Sequence, residues 1–298
     1  MKQTNAIADI LKSPKPVFSV EFYPPKTESG ARQILKTAKQ LKAFDPDFVS
    51  ITYGAGGSTR ERTLEYGELL QDLFEFEVMP HLTCVGHSKD ELGRILARFD
   101  QAGFRNIMTL RGDPPKGETT FKPHPDGLRY AGELVKFIKE NFPQFCLGVA
   151  GYPEKHPEAT SLDYDLDNLQ QKVAQGADFI TTQLFFDNQH YFDFVEACRA
   201  RSIEVPIVPG VLIALSHEQV KKFCSFCDSS IPTELESQLA AVQDDAEAAQ
   251  QVGIDWAYRQ ISELLERGAP GFHLYILNRA DSAIDLVKRL HDNAQLKF

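Results

Sequence analysis

The sequence contains no run of about 18 apolar residues, so no segment is built to cross a membrane as a helix. Nor does Met1 to Pro16 hold the apolar stretch of about 7–15 residues that a secretory signal needs, and the expected location is the cytoplasm. Positive charge is in deficit: 32 Lys and Arg stand against 42 Asp and Glu, a formal net charge of −10. Nucleic acids and anionic membranes select basic surfaces, so neither is an expected partner, and an anionic ligand must be held by a local cluster. Cysteine is sparse, odd in number and irregularly spaced (Cys84, Cys146, Cys198, Cys224, Cys227). A chain of this size needs no covalent staples, so these thiols read as reduced. Internal repeats, low-complexity tracts and Gly/Ser/Pro linkers are missing too, which favours one domain over residues 1–298.

The composition that is present, 42% hydrophobic and 25% charged, is that of a globular protein with an ample core. Short β-branched and aromatic runs alternate with helical patterns from end to end, as parallel strands joined by crossover helices require. Eight strands are predicted: Val17–Phe22, Phe48–Thr52, Val78–Thr83, Asn106–Arg111, Cys146–Ala150, Phe179–Gln183, Ile207–Val211 and Gly271–Leu277. Most are continuous in hydrophobicity, the pattern of a sheet buried on both faces. Between them apolar residues recur at helical spacing, as in Ala31, Ile34, Leu35, Ala38 and Leu41, or Tyr191, Phe194, Val195 and Cys198. The predicted fold class is therefore α/β, a (β/α)8 TIM barrel. Between Phe226 and Gly271 there is room for more than one helix, and the amphipathic set Ile254, Ala257, Tyr258, Ile261, Leu264 and Leu265 marks an elaborated seventh crossover.

Barrels of this kind carry their chemistry at the carboxyl ends of the strands. Functional side chains gather there repeatedly: Glu21 after the first strand, Thr52 after the second, His81 and Thr83 in the third, Arg111-Gly112-Asp113 after the fourth, Tyr152 and His156 after the fifth, Gln183 after the sixth, Asn278-Arg279 after the eighth. Taken singly, several have plainer readings. Glu21 could be a solvated strand-end charge, Asp113 a helix cap, and His81 a hydrogen-bonded core residue. Their convergence on one rim is what points to a site. Two apparent motifs carry less. In Gly54-Ala55-Gly56-Gly57-Ser58-Thr59 the third fingerprint glycine would fall at Thr59, and no acidic residue ends a following strand, so a Rossmann unit is excluded while a phosphate-binding turn stays open. Cys224-Ser225-Phe226-Cys227 lacks the second ligand pair of a zinc site and reads as two helix-packing cysteines, with no metal expected.

The strings SVEFYPPKT, FVSITYGAGG, PHLTC, LRGD, GYPEKHPEA, KVAQGADFITTQLFFD, VPG and LNRA, in this order and each at a strand end, resemble the methylenetetrahydrofolate reductase family in its short bacterial form, over essentially the whole chain. One stretch departs from the family pattern: Leu212-Ile213-Ala214-Leu215-Ser216-His217 stands where a proline and an asparagine are usual. The resemblance implies a barrel carrying FAD, with contacts at Thr52, His81, Arg111, Gly112, Asp113, Tyr130, Ala131, Tyr152, His156, Asp165, Asn168 and Lys172. Arg111, His156 and Lys172 suit a pyrophosphate, and Asp165 suits sugar hydroxyls. Gln183, Phe223 and Arg279 carry over as substrate-side residues.

The implied reaction reduces methylenetetrahydrofolate to methyltetrahydrofolate with NADH or NADPH, in ping-pong fashion, supplying methyl groups for methionine synthesis. Opening the folate ring to an iminium needs a proton on the departing nitrogen, and Glu21 is the candidate acid. A free glutamate has a pKa of about 4.3, so burial or a nearby negative charge must keep it protonated. Asp113 supplies a carboxylate for the cation: at about 4 Å the attraction is roughly 4 kcal/mol at an effective dielectric of 20. The expected assembly is a homo-oligomer. Two rivals remain: a flavin-free pterin-binding barrel that transfers a methyl group, and a non-catalytic folate-binding subunit.

Overall fold

The computed structural model describes residues 4–53, 60–114, 117 and 120–293. All strand pairings are parallel. The strands are β1 (Val17–Phe22), β2 (Phe48–Ile51), β3 (Val78–Thr83), β4 (Asn106–Leu110), β5 (Cys146–Gly151), β6 (Phe179–Thr182), β7 (Ile207–Val208), β8 (Gly210–Leu212) and β9 (Gly271–Tyr275). They follow the order β7-β6-β5-β4-β3-β2-β1-β9-β8. The two ends of that order are halves of one stave, so nine segments make an eight-stave barrel.

The sequence predicts that stave as a single strand, Ile207–Val211; Pro209 divides it. Proline has no N–H to donate to a ladder. Its carbonyl instead accepts from the His273 amide at 2.9 Å, and the Gly210 amide donates to Thr182 Oγ1 at 2.9 Å. The first half pairs with β6 and the second with β9, which closes the barrel. Glycine is needed at 210, because a Cβ there would lie 2.3 Å from the Thr182 carbonyl oxygen and 2.4 Å from the Tyr275 hydroxyl.

Helices α2 (Glu28–Lys42), α3 (Arg60–Phe74), α4 (Lys89–Gln101), α5 (Ala131–Asn141), α6 (Leu162–Ala174) and α7 (Asn188–Ala200) follow β1 to β6 in turn, after a short α1 (Ile7–Ile10). The seventh crossover holds α8 (His217–Cys227), α9 (Thr233–Ala241) and α10 (Ala246–Glu266), and α11 (Asp281–Asp292) follows β9. Polar caps start several of the helices: Thr27 accepts from Gly30, and Ser88 and Glu91 form a capping box, each such cap contributing about 1 kcal/mol. The buried stripe of α2, Ile34, Ala38 and Leu41, joins the outward strand residues Val20, Phe22, Val49 and Ile51 in one core. No described helix is long and apolar enough to cross a membrane.

Successive strand residues point to opposite faces, and the inward set begins with an apolar layer. Val17, Phe48, Met79, Met108, Cys146, Phe179 and Val208 cluster with Ile7 and Leu11, so α1 plugs the amino-terminal mouth. Asn106 anchors the plug: its Oδ1 accepts from the Ile7 amide at 2.7 Å, and its Nδ2 donates to the Asn5 carbonyl and to Glu77 Oε1, both at 2.9 Å. A third cluster lies under the seventh crossover, with Leu212, Ala214, Val220, Cys224, Cys227, Leu235 and Ala249. There α10 meets the segment after β8 backbone to backbone, since a Cβ on Gly253 would lie 1.8 Å from the Ala214 carbonyl oxygen. All five cysteines are free and buried.

Candidate functional site

Toward the carboxyl ends the inward positions turn polar. Ser19, Ser50, His81 and His273 follow the apolar layer, then Glu21, Thr83, Thr181 and Tyr275, all but Tyr275 buried. Above them opens a cleft of about 810 Å³, toward the upper end of the range of about 300–1,000 Å³ typical of ligand sites. Of the residues singled out from sequence, Glu21, Thr52, His81, Arg111, Gly112, Asp113, Ala131, Tyr152, His156, Lys172, Gln183 and Phe223 line it. Four do not. Tyr130 is exposed at the start of α5, and Asn168 is half-buried on α6. Asp165 reaches back along α6 to accept from the His156 amide at 2.9 Å. Arg279 is exposed, with its amide donating to the Ile276 carbonyl at 2.8 Å. Gly54 to Thr59, the glycine-rich turn, lies outside the described residues.

Glu21 sits at the polar end of β1, opposite Ser50 on one side and Tyr275 on the other. Burial pushes its carboxyl up to about 7, against a hydrogen bond from Tyr23 that pulls it down. A good fraction is protonated at neutral pH, as a proton donor there requires. His81 Nε2 lies 3.5 Å from Glu21 Oε2, yet burial lowers the imidazole to about 3 and Nε2 has no hydrogen-bond partner. The imidazole is thus neutral at this contact, which is not an ion pair.

His273, one layer below, reaches from β9 to the next two staves, bridging Ser19 Oγ on β1 at 2.8 Å and Ser50 Oγ on β2 at 3.1 Å. Burial holds it neutral as well, down to about 3. Tyr275 donates to the Thr182 carbonyl at 2.6 Å, and Asn278 exchanges hydrogen bonds with the backbone of Tyr23 at 2.8 and 2.9 Å. Sequence reading overlooked His273, Tyr275 and Tyr23. The available signal was the period of two: in Gly271–Leu277 the residues Phe272, Leu274 and Ile276 alternate with His273 and Tyr275, and polar groups at alternate barrel positions face the interior.

The cationic side lies across the cleft. Lys172 donates to the Ala150 carbonyl at 2.7 Å, and burial lowers its ammonium to about 8 with only partial support from Asp165. Asp165, Asn168 and Lys172 recur at helical spacing on one face of α6. Arg111 stacks over Phe121 at 5.3 Å and pairs with Glu158. His156 packs edge-on to Tyr152 at 4.6 Å, and burial together with Arg111 lowers its pKa. Gly112 has φ +88, and a Cβ there would meet Val85 Cγ1 at 2.8 Å, so glycine is what lets this turn lie on β3's loop. The buried hydroxyls of Thr83 and Thr181, both on the cleft wall, have no protein partner. The arrangement sets a partly protonated acid against a set of basic side chains within one cavity.

The family model described as methylenetetrahydrofolate reductase matches residues 6–291. A 5,10-methylenetetrahydrofolate reductase of Escherichia coli is 38% identical over 263 residues, 88% of this chain and 86% of that protein. Methylenetetrahydrofolate reductase (NADH) 1 of Arabidopsis thaliana is 36% identical over 300 residues, 97% of this chain and 51% of that protein. The chain thus spans about half the length of its plant relatives and most of its bacterial one. Among solved structures, an uncharacterized protein from Clostridium thermocellum that binds two copies of 5-methyl-5,6,7,8-tetrahydrofolic acid superposes with a TM-score of 0.66 at 17% identity, over 98% of this chain and 99% of that one. That likeness is one of fold.

Proposed function

This chain belongs to the methylenetetrahydrofolate reductase family, and from that premise we propose that it reduces methylenetetrahydrofolate to methyltetrahydrofolate, with NADH or NADPH as hydride source and FAD as cofactor. The observation that carries this reading is Glu21, a buried carboxyl raised to about 7 on the floor of the cleft. The polar inventory fits a flavin dinucleotide. Arg111, Lys172 and His156 gather where a pyrophosphate would be held, Asp165 and Asn168 stand on the adjoining helix face, and the unpartnered Thr83 and Thr181 hydroxyls offer hydrogen bonds to a polar ligand. When bound, FAD would pass hydride between nicotinamide and folate. The protein's own work is protonic and electrostatic. Glu21 delivers a proton to the folate nitrogen that must leave, which opens the ring to an iminium. Asp113, across the cleft, attracts the resulting cation; its exposure to solvent makes that attraction smaller than a buried pair would give. Gln183 donates to and accepts from the pterin edge, and Phe223 offers a flat face to whichever substrate occupies the cleft.

The test is the visible spectrum of the purified protein, recorded before and after NADH or NADPH, then after methylenetetrahydrofolate. The expected result is a flavin band that bleaches with nicotinamide and returns with folate. A colourless protein that takes up no FAD would overturn the reading.

A further inference from the structure

The strap between β5 and α6 brings a carboxylate onto the cleft's guanidinium. Glu158 Oε2 accepts from Arg111 Nη1 at 2.5 Å and Oε1 accepts from Nη2 at 2.8 Å, while Nε faces the Gly112 carbonyl at 3.4 Å. The pair is bidentate, the same fork with which arginine recognises a phosphate. We propose that Glu158 sets the affinity of the cleft for a phosphate-bearing ligand by competing with that ligand for Arg111. This rests on the flavin dinucleotide reading above.

The two partners are unequally held. Arg111 is the fixed one: its side chain is 21% exposed and stacked over Phe121, whereas that of Glu158 is 56% exposed. The backbone of the strap is secured without the carboxylate. The Glu158 amide donates to His156 Nδ1 at 3.1 Å, the Ala159 amide to the His156 carbonyl at 2.9 Å, and the His156 amide to Asp165. Lys155 Nζ donates to the carbonyls of His156 and Ala159 at 2.9 and 3.1 Å. Glu158 can therefore swing away from Arg111 while the strap keeps its shape. Competition matters because the other basic groups here are weakened: burial lowers both His156 and Lys172, leaving Arg111 as the permanent charge among the three. The hydrogen bond from Arg111 also holds Glu158 below the usual carboxylate range, so the competitor is ionised at neutral pH.

Glu158→Gln keeps the size and removes the charge. FAD binding to flavin-stripped protein, followed by quenching of flavin fluorescence, is measured for wild type, Glu158→Gln, Arg111→Gln and the double variant across a salt series. Exposed ion pairs are modest, so the expected result is FAD binding about 3- to 10-fold tighter in Glu158→Gln, with a steeper salt dependence. The gain should vanish in the Arg111→Gln background, and riboflavin, which has no phosphate, should bind both Glu158 forms alike. Equal or weaker FAD binding by Glu158→Gln overturns the proposal and makes Glu158 a residue that orients Arg111. A gain that survives without Arg111, or that extends to riboflavin, overturns it too. If wild type and variants all fail to bind FAD, the flavin reading falls and takes this one with it.

Discussion

The two mouths of the barrel are made by the same staves with the same alternation, and they hold opposite chemistry. At the amino-terminal mouth the inward residues Val17, Phe48, Met79, Met108, Cys146, Phe179 and Val208 pack under α1. Burying a side chain of this kind contributes roughly 1.5–3 kcal/mol before conformational entropy is counted. Further along, β1 places Ser19 and Glu21, β2 Ser50, β3 His81, β6 Thr181 and β9 His273 on the interior, where burial costs free energy unless hydrogen bonds offset it. A closed, dry plug below makes a polar cavity above affordable. It also gives that cavity the low dielectric that raises Glu21 and lowers His81 and His273.

If this division is real, the mouths can be broken separately. The largest effect is expected from Glu21→Gln on the folate half of the reaction. General acid catalysis is typically worth about 10²- to 10⁴-fold, and glutamine keeps the shape while offering no acidic proton. Hydride transfer from NADH or NADPH involves no departing nitrogen, so that step should stay within a few-fold of wild type. Stopped-flow absorbance at the flavin band separates the two. A parallel fall in both would show Glu21 holding the cofactor or the fold instead.

The converse test is Phe179→Ala in the plug. Phe179 is fully buried, and its ring fills the space where Gly148 lacks a side chain, a Cβ there falling 2.6 Å from Cζ. Truncation of a buried phenylalanine costs about 3–5 kcal/mol. Chemical denaturation should show that loss while FAD affinity and both half-reactions, measured on folded protein, stay close to wild type. A change in ligand binding of the same size would mean that the mouths are mechanically coupled.

Much of this division was legible in the sequence, and the part that was not has a physical cause. Strands buried on both faces read as continuous apolar runs, which is why Val17–Phe22 and Val78–Thr83 were placed with the bounds they have. That continuity hides which face each residue takes in β1 and β3, where Glu21 stands out only as a charge at a strand end; in β9 the alternation of Phe272, Leu274 and Ile276 with His273 and Tyr275 does mark the inward face. Pro209 stands inside the predicted strand Ile207–Val211, and the split pairing it forces depends on β6 and β9, which are far away in sequence. The four-residue α1 is too short for a helical period to register. The Arg111–Glu158 pair joins residues 47 apart, with the α5 crossover and β5 between them, a contact that no local pattern contains.

A third test uses pH, because Glu21, a buried carboxyl raised into the physiological range, lies at the polar end. Burial raises Glu21 to about 7 from an ordinary 4.5. Below pH 4.5 the carboxyl is neutral folded or unfolded and costs nothing. As pH rises toward 7 the unfolded chain ionises and the folded one resists, so stability is lost across that window by roughly 3 kcal/mol and then levels off. The two histidines act in the opposite direction over an overlapping range. Lowered to about 3, His81 and His273 preserve stability above pH 6.5 and withdraw it as pH falls toward 3. Between pH 4.5 and 6.5 the Glu21 loss runs against the histidines' gain, so the quantity to read is the difference between wild type and Glu21→Gln in denaturation free energy, which should change by roughly 3 kcal/mol from pH 4.5 to 7 while both proteins keep the histidine slope on the acid side. If the wild-type and Glu21→Gln profiles superpose, the carboxyl is not desolvated as its position implies.

The smallest effect is expected at Phe223, which lies where cleft and crossover meet and so tests whether the polar mouth ends at the barrel rim. Its ring lines the cleft and also packs against the cluster under α8. Three residues on, Phe226 is 68% exposed on the same helix and borders a smaller recess of about 230 Å³ beside Arg111 and Glu158. If Phe223 stacks on whichever substrate is bound, Phe223→Ala should weaken both nicotinamide and folate by about 3- to 10-fold, the range of about 0.5–1.5 kcal/mol for one aromatic contact. Phe226→Ala, on the exposed side, should change neither by more than about twofold, as surface substitutions generally behave. Apparent dissociation constants for each substrate, read with the denaturation midpoint of each variant, distinguish the outcomes. Loss of stability in Phe223→Ala with unchanged affinities would assign its ring to the packing of α8 alone, and the working surface would then stop at the strand ends.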